Sequence, residues 1–73
     1  MTISSIKNIL EFAEGAAIKS VVVSGTRLSF ATKEHDGTCE YNLNTKDKTL
    51  QVIDKGGTYF FETENINAIQ MEM

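Results

Sequence analysis

The chain has no proline, a single cysteine and no apolar run approaching the roughly twenty residues of a membrane-spanning helix. Without proline, and with an ordinary share of aromatic residues, it lacks the composition of a disordered tail or linker. Cys39 alone cannot close an internal disulfide, and the absence of Cys/His clusters removes the usual ligand set of a structural zinc site. The opening MTISSIKNIL has no basic stretch followed by an apolar segment and a cleavage site. A cytoplasmic protein with no membrane association is therefore expected. No internal repeat is visible, and no motif calls for a cofactor.

A basic stripe is also missing. Ten acidic and seven basic residues give a net charge of -3, and the excess is local. Residues 1–55 hold seven acids and seven bases, whereas residues 56–73 hold Glu62, Glu64 and Glu72 and no base. Nucleic-acid binders draw most of their affinity from neutralised phosphates, so this balance argues against that class, with only Lys46 and Lys48 offering a small local patch. A chain of 73 residues forms one domain, residues 1–73, and buries only about 60% of its unfolded surface. With neither disulfide nor metal, self-association is an open route to stability.

What is present begins with a helical stripe. Ile3, Ile6, Ile9, Leu10, Ala13 and Ala17 recur at three- and four-residue steps, with Lys7, Glu11 and Glu14 between them. Thr2 or Ser4 can cap the start, and Gly15 can stop it, which predicts a helix over about residues 4–15. Beyond it the chain reads as strands separated by turn signals at Ser24-Gly25, Asp36-Gly37, Lys46-Asp47 and Gly56-Gly57. Two-residue loops at these places set Val21 opposite Leu28, Phe30 opposite Leu43, Thr32 opposite Tyr41, Leu43 opposite Leu50, Tyr41 opposite Val52, and Val52 opposite Phe61. Those registers agree on one core face: Val21, Val23, Leu28, Phe30, Cys39, Tyr41, Leu43, Leu50, Val52, Tyr59 and Phe61.

The other face carries Arg27, Ser29, Glu40, Asn42, Asn44, Gln51 and Glu62, as a solvated surface does. Ile53 and Phe60 interrupt it, and the Gly56-Gly57 register places them directly opposite each other. The segment from Glu64 to Asn67 reads as a bend or a single helical turn, followed by a short strand with Ile69, Met71 and Met73 on one face. Its natural partner is the free edge of IKSVVV. The expected fold is α+β and mostly β, an N-terminal helix followed by a five- or six-stranded bent antiparallel meander.

At this level the chain resembles the Sm-like family of SH3-like small barrels, which includes bacterial RNA-binding ring proteins. SVVVSGTRLSF looks like the family's first strand, turn and second strand, and TYFFETENINAIQM like its last two strands joined by one helical turn. The resemblance implies a homo-oligomeric ring binding RNA or a small ligand. The family's RNA-binding residues do not carry over: Glu62-Thr63-Glu64 stands where Arg-Gly or Lys-His would follow, and the Lys46-Asp47 loop has no stacking aromatic. A pleckstrin-homology-like domain would share the final segment but normally ends in a helix.

Reactive chemistry finds little support. His35, Asp36 and Cys39 lie close together in EHDGTC, yet the register buries Cys39 while leaving His35 in a turn, so no nucleophile and base pair forms. Glu62 and Glu64 have no His or Lys neighbour to tune them for acid/base work. Tyr59-Phe60-Phe61 could stack nucleobases, but no basic residues surround them. The sequence therefore predicts a non-enzymatic binding module that engages a protein partner or a copy of itself through Ile53 and Phe60, with Glu62, Glu64 and Glu72 as an acidic rim. In composition it is similar to the small acidic inhibitors that phages deploy against host enzymes or defence complexes.

Overall fold

The computed structural model describes residues 1–31 and 37–72. Among these, one helix and six antiparallel strands make a mostly-β α+β fold. Helix α1 spans Ile3–Phe12 and is followed by β1 (Ala17–Val23), β2 (Thr26–Ser29), β3 (Tyr41–Asn44), β4 (Thr49–Asp54) and β5 (Gly57–Glu62). A 3-10 turn at Thr63–Asn65 leads into the last strand, β6 (Ile66–Glu72). The strands form two three-stranded sheets, ordered β2-β1-β6 and β3-β4-β5. As expected, β6 returns to pair with β1, with Val21 opposite Ile69.

Helix α1 starts where its cap permits. The Thr2 hydroxyl oxygen accepts a hydrogen bond from the Ser5 N–H at 3.1 Å, satisfying one of the unpaired amides of the first turn. Ile6 and Ala13 are buried and Ile3, Ile9 and Leu10 half-buried, so the apolar stripe faces the sheets. The helix ends at Phe12, earlier than the Gly15 stop, and the Ala13 N–H closes the last turn on the Ile9 carbonyl at 3.0 Å. Ala17, counted with the stripe in the sequence, opens β1 instead.

The hairpins follow their turn chemistry. Ser24 and Gly25 both take positive φ, 51° and 83°, which matches the twist of the β1–β2 hairpin and sets Val21 opposite Leu28. The β3–β4 hairpin has the expected register, Leu43 opposite Leu50 and Tyr41 opposite Val52. The β4–β5 hairpin differs. Asp54 Oδ1 accepts from the Gly56 N–H at 2.8 Å, which draws the turn forward to Lys55-Gly56 and pairs Asp54 with Gly57. Every partner in β5 is therefore two residues from its expected place, with Val52 opposite Tyr59 and Leu50 opposite Phe61. A slip of two preserves the side of the sheet, so Tyr59 and Phe61 still turn inward.

The fourth expected pairing, of β2 with β3, is absent among the described residues. β2 pairs with β1 and β3 with β4, so Phe30 does not oppose Leu43; the expected Thr32–Tyr41 pair and the Asp36 half of the turn lie outside the described residues. The described residues between β2 and β3 bind β1 and β4 instead. The Phe30 N–H donates to the Lys19 carbonyl at 2.9 Å, and Thr38 then exchanges hydrogen bonds with Ile18 at 2.8 and 3.0 Å. On the other side the Ile53 N–H donates to the Glu40 carbonyl at 2.8 Å.

Thr38 is the seam between the sheets. Fully buried, it donates its hydroxyl to the Ile53 carbonyl at 2.5 Å and accepts from the Glu40 N–H at 3.0 Å. Next to it, Gly37 (φ +147°) leaves no room for a side chain, since a Cβ there would stand 2.9 Å from Ala17 Cβ and 3.1 Å from the Ile18 carbonyl oxygen. The hydroxyl bond to Glu40 kinks the chain so that Thr38 and Tyr41 both turn inward. Cys39, expected in the core, is consequently exposed. Replacing Thr38 by valine conserves shape but strands the Ile53 carbonyl and the Glu40 N–H; we expect a loss of about 1 to 3 kcal/mol, read as a lower urea midpoint at unchanged slope.

The core gathers Ile6, Ile18, Val21, Phe30, Leu50, Val52, Phe61 and Ile66. Ile18 enters it because the β1–β6 ladder shifts register between Ile18 and Ser20; the irregularity at Lys19 brings Ile18 and Val21 to the same side although they are three residues apart. Phe30 meets Tyr59 edge-on at 5.5 Å and Phe61 at 6.1 Å. Leu28 and Tyr59 sit at the margin of this core, partly exposed.

Candidate protein-docking face

The outer side of the β3-β4-β5 sheet is built by the pleat. With Leu43, Leu50, Val52 and Phe61 turned inward, the alternate residues form cross-strand rows outside: Asn44–Thr49–Glu62, Asn42–Gln51–Phe60 and Ile53–Thr58. Phe60 stands in the middle row at the β5 edge, 68% exposed. The expected Ile53–Phe60 pair is thus not a direct one, because the Asp54 turn slides Ile53 opposite Thr58 and leaves Phe60 on the diagonal. Ile53 is half-buried. Phe60 is accordingly the dominant apolar feature of the face, beside the amide of Gln51, with Asn42 next along the row.

The acids divide into two places. Glu62 lies two residues beyond Phe60 on the same side of β5, and its Oε2 accepts from the Asn65 side-chain amide at 3.3 Å. Glu64 follows in the 3-10 turn, and with Asp47 and Lys48 the two line a shallow depression at this end of the sheet. Three carboxylates against one ammonium leave that end negative. Glu72 stands apart: it closes β6 opposite Ala17, in the other sheet. The acidic rim adjoining Phe60 therefore consists of Glu62 and Glu64.

Cys39 is exposed beside Glu40, and His35 and Asp36 lie outside the described residues. Among the described residues no three His, Cys, Asp or Glu side chains converge as a metal site, and no helix is long and apolar enough to cross a membrane.

Among the described residues, the fold alters the ionisation of Tyr41. Its hydroxyl donates to the Ala16 carbonyl at 3.2 Å, tying β3 to the link between α1 and β1. Burial pushes its pKa above the ordinary value of 10.0, and the nearby negative charges of Cys39 and Glu14 push the same way. A raised folded pKa means that the contribution of Tyr41 to stability is complete below pH 10 and is lost as pH climbs through the raised value. We expect one of the two tyrosines to ionise late when absorbance is followed near 295 nm, and Tyr41→Phe to remove that late step together with its share of the alkaline loss of stability.

The sequence reading passed over Phe12, which is 85% exposed at the end of α1. It borders an apolar groove of about 370 Å³ between α1 and β6, lined by Ile9, Ala13, Ile69 and Met71. The available signal was its place three residues after Ile9, on the flank of the helical stripe.

No protein-family model, no curated protein and no solved structure matches the chain. The functional reading accordingly rests on the geometry of this molecule.

Proposed function

We propose that the protein is a non-enzymatic binding module that docks a basic protein partner on the outer face of the β3-β4-β5 sheet. The observation that carries the reading is Phe60, a large aromatic ring left 68% exposed at the centre row of an otherwise polar sheet. Aromatic side chains of this kind supply the anchors of protein interfaces, where a few residues hold most of the binding energy. Ile53 broadens the apolar patch, and the Asn42 and Gln51 amides give it a polar border. Glu62 and Glu64 favour a partner with basic groups, since complementary charge at the rim speeds encounter and selects orientation. A small acidic inhibitor of the kind phages direct at host enzymes or defence complexes is the class that this combination fits.

Charge reversal tests the steering. Glu62→Lys with Glu64→Lys should slow association with the partner by about tenfold or more at low salt, and the difference should shrink as salt rises. Equal association rates for both proteins at every salt concentration would remove the basic-partner assignment.

A second reading is a homo-oligomeric ring of the Sm-like kind that binds RNA or a small ligand. It is favoured by the arrangement of edges: β5 and β6, joined by the 3-10 turn, each end a sheet with an outer edge that no described strand covers. Light scattering coupled to size exclusion separates the two readings, a ring giving a multiple of the 8.1 kDa chain mass. RNA binding that weakens steeply with salt would then be the expected companion.

A further inference from the structure

On the outer face of the other sheet, three side chains from three strands are locked together. Arg27 of β2 donates through Nη1 to Ser20 Oγ of β1 at 3.1 Å and to Gln70 Oε1 of β6 at 3.0 Å. Ser20 Oγ also donates to Gln70 Oε1 at 3.1 Å, and Ser20 is only 2% exposed. A guanidinium has no acceptor, so the orientation of the Gln70 amide follows from its partner: its oxygen must point to Arg27.

The proton inventory of this cluster is one-sided. Gln70 Oε1 accepts from two donors, which fills both its lone pairs, and Arg27 Nη1 serves both Gln70 and Ser20. What remains is donors: the Nη2 and Nε hydrogens of Arg27 and the amide hydrogens of Gln70, which meet no protein acceptor among the described residues. They border a depression of about 310 Å³ lined also by Val22 and Ala68. The Arg27 hydrogen bonds go to neutral oxygens, and Glu72, two residues beyond Gln70 on the same side of β6, is not among its partners. A positive fork held in place by its neighbours, with spare donors and an apolar lining, is complementary to an oxyanion that brings acceptors and a short aliphatic stem.

We propose that Arg27, Ser20 and Gln70 form a carboxylate-binding site on the β2-β1-β6 sheet, separate from the Phe60 face. One guanidinium with a two-donor edge that meets no acceptor among the described residues matches one planar carboxylate in a bidentate pair. A nucleic-acid backbone would require a row of cations, and Arg27 is the only arginine in the chain. The carboxylate can belong to a small free acid or to an acidic side chain of a protein. Neither case depends on the function proposed for the opposite sheet.

Because Arg27 is the only arginine, its Nε–H gives a single, self-assigned NMR signal in the ¹⁵N-labelled protein. The probes are sodium acetate, the capped peptide acetyl-Ala-Glu-Ala-amide, sodium phosphate, and sodium chloride at matched ionic strength. The expected result is a saturable shift of the Arg27 Nε–H and Gln70 side-chain signals with acetate and with the peptide. Arg27→Lys, which keeps the charge and loses the fork, should weaken binding about tenfold, and Glu72→Gln should strengthen it by removing a nearby like charge. Binding of the peptide at least tenfold tighter than acetate assigns the site to a protein side chain; equal affinity assigns it to a small acid. Shifts that follow only ionic strength, saturation by phosphate but not by carboxylates, or unchanged affinity in a folded Arg27→Lys protein would each overturn the proposal.

Discussion

Leu50→Ala is expected to unfold the protein, or to leave it with roughly half its stability. Leu50 is fully buried at the centre of β4, the middle strand of its sheet, with Leu43 on one side and Phe61 on the other. It also lies in the cluster that joins Ile6 of the helix to Ile18 and Val21 of the second sheet, so the cavity opens where all three layers meet. A buried Leu→Ala change costs about 2 to 5 kcal/mol, the upper part applying where neighbours cannot collapse into the space. Natural domains hold roughly 0.05 to 0.15 kcal/mol per residue, about 4 to 11 kcal/mol for 73 residues. Chemical denaturation should show a midpoint lowered accordingly, and the melting temperature should fall by about 10 °C or more. The neighbouring Gln51→Ala, on the outer side of the same strand, should move stability by no more than about 0.5 kcal/mol. Equal tolerance of both changes would contradict the assignment of inner and outer faces.

The second large effect is on binding. Phe60→Ser removes the ring but keeps the strand, whose register is held by the Asp54 turn and the inward-facing Tyr59 and Phe61. Loss of a buried aromatic anchor costs about 2 kcal/mol or more at an interface, close to thirtyfold in affinity. Stability should change far less, by about 1 kcal/mol at most, because the residue is exposed in the free protein and only strand preference is lost. That separation is the signature of a docking residue. Ile53→Asp should act in the same direction but with some loss of stability, since Ile53 is half-buried. A Phe60→Ser protein that binds the partner as tightly as the parent would exclude the face.

Much of this architecture was legible because side-chain alternation tolerates even-numbered errors. The β4–β5 register expected from Gly56-Gly57 is wrong by two, yet Leu50, Val52, Tyr59 and Phe61 still turn inward and Gln51, Phe60 and Glu62 outward. What failed were places where the chain breaks its own period. The shift at Lys19 brings Ile18 into the core, and the Thr38 hydroxyl, by kinking the chain at Glu40, expels Cys39. The first carries no local sequence signal, because it depends on the distant β1–β6 ladder; the second is a local Thr38–Glu40 bond, a weak turn signal, whose hydroxyl is fixed by the distant Ile53 carbonyl.

The site was legible in the same measure. Phe60 broke a polar pattern and was conspicuous for that reason, whereas the separation of Glu72 from Glu62 and Glu64 follows from β6 crossing to the other sheet. Arg27 read as ordinary solvated surface. Its role appears only when the irregular β1–β6 register brings Ser20 and Gln70 opposite each other, within reach of one guanidinium.

The central claim is that the outer face of the β3-β4-β5 sheet binds a protein through Phe60. Its most direct test is quantitative affinity capture from a lysate of the source cells, run side by side with the parent protein and with Phe60→Ser of verified fold. The account predicts a basic protein retained by the parent and depleted at least tenfold on the variant. Identical profiles for the two, with every captured protein retained equally, would contradict it.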